Sequence, residues 1–187
     1  MIAVLPVGLA LALGLACGLA APRLRGREPR EARPTTTRQI LLPFTGTTLS
    51  RRALEAAMRL AKAEDATLMP AFLATVPLHQ SLDSPAAKQC EIGMPLLEAI
   101  EQRAVAERIP VDARVERGRS YRHALSRLLD TEHFDRVVIS AADDPRTGLS
   151  GDDLLWAIDH ANAEVMILRP APEDTSLVSA NGVRGHF

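Results

Sequence analysis

The feature that most narrows the possible folds is a strand-like run that turns through glycine into a helix. Gln39-Ile40-Leu41-Leu42-Pro43-Phe44 is nearly continuously apolar, Thr45-Gly46-Thr47-Thr48 reads as a turn, and Leu49 to Glu64 reads as a helix. Such a unit opens a parallel α/β sheet, and the backbone N–H groups at the helix start favour an anion, often a phosphate. Within the helix, Leu54, Ala57, Met58 and Ala61 recur at i, i+3, i+4 and i+7, which is one helical face. Ser50 or Thr48 is the expected N-cap.

The same rhythm repeats along the chain. Further strands are expected at Thr67–Thr75, Val111–Glu116, Asp135–Ser140 and Glu164–Arg169. Pro70 lies inside the second and cannot donate a ladder hydrogen bond, which predicts a bulge there. Helix two is expected over Met94–Arg108, with Leu97, Ile100 and Ala104 inward. Helix three follows Gly118 and turns Ala124, Leu125, Leu128 and Leu129 to the sheet. Helix four opens on a capping pair, Ser150 and Asp153, and carries Leu154, Leu155, Ile158 and Ala161 on its apolar side. Strict alternation of five strands and four helices predicts an α/β fold, an open doubly wound parallel sheet with right-handed crossovers.

The first segment is of another kind. Ile2 to Ala21 holds no charged side chain, and about 20 apolar residues span a bilayer as a helix. Arg23, Arg25, Arg27, Arg30 and Arg33 follow at once. The positive-inside rule then places the following domain in the cytoplasm. A cleaved signal peptide would end near Gly18-Leu19-Ala20 but lacks a basic n-region, and a lipoprotein signal would end at Cys17. The charge asymmetry favours an uncleaved, single-pass cell-membrane anchor. The expected organisation is an anchor over 1–22, a basic Pro/Thr linker over 23–38, the domain over 39–170 and a disordered tail over 171–187.

Composition excludes several function classes. A formal net charge of -1 and 3% aromatic residues argue against a nucleic-acid partner. Cys17 and Cys90 form no CxxC and stand with no histidine cluster, so neither a disulfide framework nor a zinc site is indicated. The five histidines are dispersed, without helical metal-pair spacing. Ser50, Ser126 and Ser140 lack a nucleophile-elbow sequence, so no serine hydrolase is indicated.

Four segments together resemble the universal stress protein family. Ile40 through Leu54 is similar to the family's opening strand and its Asp-Gly-Ser turn; Ile109-Pro110-Val111 with Val115-Glu116-Arg117-Gly118 resembles its third strand. Phe134 through Ser140 resembles the fourth strand, and His160 through Pro170 the closing one. The resemblance covers Gln39 to Pro170 and implies a Rossmann-like fold of the adenine nucleotide alpha hydrolase type, with strand order 3-2-1-4-5. It also implies a homodimer through strand five. ATP-binding members use an Asp after strand one and a Gly-x2-Gly-x9-Gly-[Ser/Thr] stretch after strand four. Here Thr45 replaces the Asp, Ser140 and Asp143 replace two glycines, and Gly151-Asp152 comes two residues early. Side chains at glycine positions block close approach of backbone to phosphate. Asp143, Asp144, Asp152 and Asp153 add charge of the wrong sign for a polyanion.

The expected function is therefore a membrane-tethered regulatory or protein-binding domain of the stress response, not an enzyme, with weak or no ATP binding and no metal. An ATP-binding protein is the alternative, and a small nucleotide-dependent enzyme a more distant one. A ligand would sit between strands one and four, lined by Thr45, Gly46 and Thr47 on one side and Ser140, Ala141 and Gly151 on the other. Arg117, Arg119, Arg122 and His123 form either a solvated basic turn, the favoured reading, or an anion site. Tyr121 and Trp156 are expected to pack, and His160 to meet helix carbonyls.

Overall fold

The computed structural model describes residues 37–46, 49–83, 87–141, 149–169 and 177–178, with the side chains of 87–90 and 92 excepted. The chain divides into residues 1–35 and 36–187. The first unit, and with it the expected anchor, lies outside the described residues. Among the described residues, no helix is long and apolar enough to cross a membrane.

The elements run β1 (Gln39–Phe44), β2 (Leu49–Ser50), α1 (Arg51–Glu64), β3 (Thr67–Thr75), α2 (Ala87–Ala106) and β4 (Arg114–Gly118). They continue with α3 (Tyr121–Thr131), β5 (Arg136–Ser140), α4 (Gly151–His160), β6 (Glu164–Leu168) and β7 (Leu177–Val178). Five strands form one sheet in the order β4-β3-β1-β5-β6, all neighbours parallel. Counting only these five in chain order gives the expected 3-2-1-4-5. The helix expected from Leu49 instead starts at Arg51, because Leu49 and Ser50 are extended and pair antiparallel with β7. Helix α2 begins earlier than expected and carries Pro95 inside it.

Both faces of the sheet are covered. Ile40, Leu42 and Phe44 face α1 and α2, where they meet Leu54, Ala57, Met58, Leu96 and Ile100. Leu41, Met69, Leu73, Val137 and Ile139 face α3 and α4, against Leu125, Leu128 and Ala157. The period of two along each strand delivers one residue to each layer in turn. Gly93 sets how closely α2 sits: a Cβ there would fall 2.4 Å from the Phe72 ring, which itself packs 5.6 Å from Phe44.

Pro70 does not bulge β3. Its register with β1 is continuous, Leu42 opposite Pro70 and Pro43 opposite Ala71. The missing N–H is felt on the other side. Leu68 bonds Pro110 and Asp112 there through both its N–H and its carbonyl, and Pro70, two residues on, faces the same way. The ladder to the next strand is interrupted at that point, between the Leu68–Val111 bridge and the Ala71–Arg114 pair. The third sheet strand accordingly starts at Arg114, not at Val111.

The two edges of the sheet differ. β4 opens with exposed Arg114, held by Asp112 at 2.8 Å, and the hydrogen bond and charge of Asp112 raise the guanidinium pKa above its ordinary value. β6 is Glu164 followed by Val165, Met166, Ile167 and Leu168, all half-buried. Charge blunts an edge against pairing and an apolar run does not.

Candidate functional site

The carboxyl end of the sheet opens between β1 and β5, where the strand order reverses. β1 pairs with β3 along its full length, Gln39 through Phe44, but with β5 only at Ile40–Arg136 and Leu41–Val137. A proline accounts for the split. The Gln39 carbonyl accepts the Asp135 N–H at 3.0 Å, so Gln39, Leu41 and Pro43 turn their backbone groups toward β5. Pro43 has no N–H to give, and the ladder has ended before it. The upper halves of β1 and β5 thus part over the residues that lead into Thr45 and Ser140.

Thr45 is fully buried and Ser140 is 5% exposed, so both lie beneath the surface where the two strands part. Gly46 follows with φ 71, the left-handed region in which a side chain is strained, and it turns the chain out of β1. Ala141 donates its N–H to the Leu168 carbonyl at 2.9 Å and bridges Leu149, which is 1% exposed. This bridge seats the start of α4 against the end of β5. The structure therefore gathers Thr45, Gly46, Ser140, Ala141 and Gly151 around the carboxyl end of β1 and β5. Thr47 and residues 142–148 lie outside the described residues.

Helix α4 brings its own counter-charge. Its N-cap Ser150 accepts the Asp153 N–H at 3.3 Å and donates its hydroxyl to the Asp153 carboxylate at 2.6 Å. Arg122 of α3 reaches the other Asp153 oxygen at 3.2 Å. Asp152 stands beside it in the same first turn, exposed. Carboxylates are favourable at the positive end of a helix, and here they bring negative charge to the helix start where an anionic ligand would bind. A Cβ at Gly151 would meet nothing within 4 Å, so this glycine answers to no close contact. Among the described residues no group of acids, histidines or cysteines could hold a metal ion.

The basic turn before α3 is occupied with structural work. One nitrogen of Arg119 donates to the carbonyls of Val76, Pro77 and Gln80 at 3.3, 2.6 and 2.9 Å, which ties the loop after β3 to the α3 start. His123 Nδ1 accepts the Arg119 N–H, and Ser120 caps α3 through the His123 N–H. With Arg122 on Asp153, three of the four basic groups are engaged; of the four, Arg117 has its Nε buried without a hydrogen-bond partner among the described residues, as Gln39 has its Oε1 elsewhere in the fold. The Arg119 clamp was not foreseen from sequence, which offers no signal for which loop an arginine will reach. Trp156 is half-buried against the sheet and stacks on His160 at 4.7 Å, and the His160 ring meets the Trp156 carbonyl at 2.9 Å. A second concavity, about 340 Å³, lies at the amino end of the sheet between Arg38, His133 and Asp135. Its Asp135 carboxylate already takes the Gln39 N–H at 2.8 Å.

Comparison with known proteins gives a consistent result. The family model described as "Universal stress protein family" matches residues 36–169. The structure is similar to the universal stress protein UspA of Lactobacillus plantarum, at 18% identity and TM-score 0.55, over 71% of this chain and 97% of that one. It is similar to a universal stress protein in complex with cAMP, at 23% identity and TM-score 0.54, over 70% and 96%. A universal stress protein family protein from Arabidopsis thaliana with AMP bound matches at 14% identity and TM-score 0.52, over 74% and 95%. No curated relative matches the sequence.

Proposed function

The chain belongs to the universal stress protein family, and from that premise we propose that it is a membrane-tethered regulatory domain of the stress response. It works by binding protein partners, without catalysis, and holds ATP weakly or not at all. The observation that carries this reading is the start of α4, where Ser150, Asp152 and Asp153 occupy the cap and first turn and Arg122 is spent on Asp153. A triphosphate brought to that helix start meets charge of its own sign. At about 6 Å and an effective dielectric near 20, each such charge pair costs roughly 2–3 kcal/mol. Thr45, buried in place of the family's Asp, adds no carboxylate to hold the adenine end.

The tether rests on the uncharged run Ile2–Ala21 and the five arginines after it, which favour a cytoplasmic domain. Homodimerisation is supported by the contrast between the edges. Leu168 O and Glu164 N face β5, so the backbone groups of Val165 and Ile167 point outward from an apolar edge. Leu155 and Ile158 on α4, next to that edge, are 63% and 51% exposed.

A second reading has one observation in its favour, the structural neighbours in complex with cAMP and with AMP. A nucleotide with a single phosphate brings less charge to α4 than ATP does. Thermal unfolding of the chain with ATP and with AMP, each with and without magnesium, separates the two readings. At about 100 times the dissociation constant a ligand stabilises by ~2.7 kcal/mol. The first reading predicts no shift at millimolar ATP. A saturable rise with ATP would replace it with the second.

A further inference from the structure

The concavity at the amino end of the sheet has no part in the nucleotide reading. Thr37, Arg38, Gln39, Glu132, His133 and Asp135 line about 340 Å³ there. Gln39 opens β1 and Asp135 directly precedes β5, so this is the end of the sheet opposite the cleft. The volume is that of a small-ligand pocket.

Its hydrogen-bonding capacity is one-sided. The Asp135 carboxylate is held in place: one oxygen accepts the Gln39 N–H at 2.8 Å, while the Asp135 N–H and carbonyl are bonded to Gln39 and Glu164. The second oxygen is left as an acceptor. Glu132 is the C-cap of α3 and stands 3.8 Å from Arg114, whose short bonds go to Asp112. The Gln39 amide oxygen is shut off from water, without a hydrogen-bond partner among the described residues. A buried acceptor left unmet is costly. Gln39 itself lines the cavity, so an N–H entering there is the donor within its reach.

The charges point the same way. α3 ends at this cavity, and the carboxyl end of a helix favours a cation. α3 has no basic residue in its last turn, and Glu132 and Asp135 add two negative charges just beyond it. The arginine of the cavity is already engaged: Arg38 pairs with Glu64 at 3.4 Å, and Glu64 also takes Arg136 at 2.9 Å. The lining therefore suits a cation and not an anion. A metal ion is not the match, since among the described residues no group of acids, histidines or cysteines could hold one. A smaller concavity of about 50 Å³ shares Glu132 and His133 and adds the apolar side chains of Leu129, Phe134 and Ala163 beside Asn162. A methylene stem can lie against them, as the stems of lysine and arginine do on apolar surface.

We propose that the amino-end cavity binds an organic cation that donates N–H groups, an alkylammonium or alkylguanidinium, with its head between Glu132 and Asp135 and its stem toward Leu129 and Phe134. The cation comes either from a free amine or from a lysine or arginine side chain of a partner. The site is separate from the cleft, so its test leaves the ATP reading untouched.

The test is a titration of the full chain followed by the backbone amide NMR signals of Gln39 and Asp135. Three probes are used: n-butylguanidinium for a free cation, N-acetyl-arginine methylamide for a side chain, and tetramethylammonium for a cation with no N–H. The site predicts a saturable shift of these signals with one or both N–H donors and none with tetramethylammonium. Tighter binding of butylguanidinium points to a free amine, and tighter binding of the arginine derivative to a partner's side chain. In Glu132→Gln the affinity should fall about tenfold, as a charge-assisted hydrogen bond becomes a neutral one. No saturable shift with either N–H donor overturns the proposal. So does an equal response to tetramethylammonium, or an affinity unchanged in Glu132→Gln. The tetramethylammonium comparison is made on the unaltered chain, so it decides the matter even if the variant fails to fold.

Discussion

Gly118 is the position where one methyl group should do most damage. It ends β4, and a Cβ there would fall 2.3 Å from Ala124 N, 2.7 Å from Ser120 O and 2.8 Å from Ala124 Cα. All three are backbone atoms, so no rotamer change relieves the overlap. Relief requires lifting the first turn of α3. That strains the Ala124 N–H to Ser120 carbonyl bond of 3.0 Å and the Ser120 cap on His123 at 3.1 Å. Overpacking of this kind costs about 1–3 kcal/mol, and a lost cap about 1 kcal/mol more. Against this, Ala stiffens the unfolded chain and returns about 0.4–1 kcal/mol. Taking the middle of each range, Gly118→Ala loses about 2 kcal/mol net. In urea, with a slope of about 2 kcal/mol/M, the midpoint should fall by about 1 M. Gly151→Ala is the internal control, because its Cβ would meet nothing within 4 Å and a helical alanine is favoured over glycine. Its midpoint should hold or rise. A Gly118→Ala chain whose midpoint stays within about 0.3 M of the parent would refute the packing argument at the α3 start.

Gly93→Ala should also destabilise, by about 1–3 kcal/mol, since its methyl enters the Phe72 ring and that ring is buried against Phe44; urea unfolding reads it directly. Arg119→Ala releases three loop carbonyls at once and should make residues 76–80 the first site of limited proteolysis, while the sheet's circular dichroism stays the same. If copies of the chain pair through β6, Ile167→Pro should convert dimer to monomer in analytical ultracentrifugation with the β5–β6 ladder kept, because its N–H points away from β5. Dimer retained in that variant would exclude the edge as the interface.

What sequence could say about this fold followed from local rules. The strands are apolar runs bounded by turn residues, the helices keep their apolar periods, and Ser50 and Ser150 cap α1 and α4. Alternation of strand and helix then fixes a parallel sheet almost without choice. What escaped were pairings decided in three dimensions. Pro70 was legible as a missing donor, but which neighbour would lose the bond depends on the direction its backbone faces in the sheet. Leu49 and Ser50 read as the first helical turn because nothing local announces a partner as distant as Leu177–Val178. The cleft was legible in its place, since the strand order reverses there. Its electrostatics were legible only in part: Asp153 was legible as the partner of Ser150 at the start of α4, whereas its ion pair with Arg122 of α3 is decided by the fold. The arginines before α3 looked like a basic turn, and only the fold shows Arg119 bound to loop carbonyls and Arg122 to a carboxylate.

The account stands or falls on whether the chain's own carboxylates keep a triphosphate from the start of α4. The direct measurement is calorimetric titration of magnesium-ATP into the unaltered chain and, beside it, into Asp152→Asn/Asp153→Asn. The account predicts no measurable heat of binding for the unaltered chain at millimolar ATP and a saturable, if weak, isotherm once both charges are removed. Tight binding by the unaltered chain, unimproved by the double substitution, would contradict it.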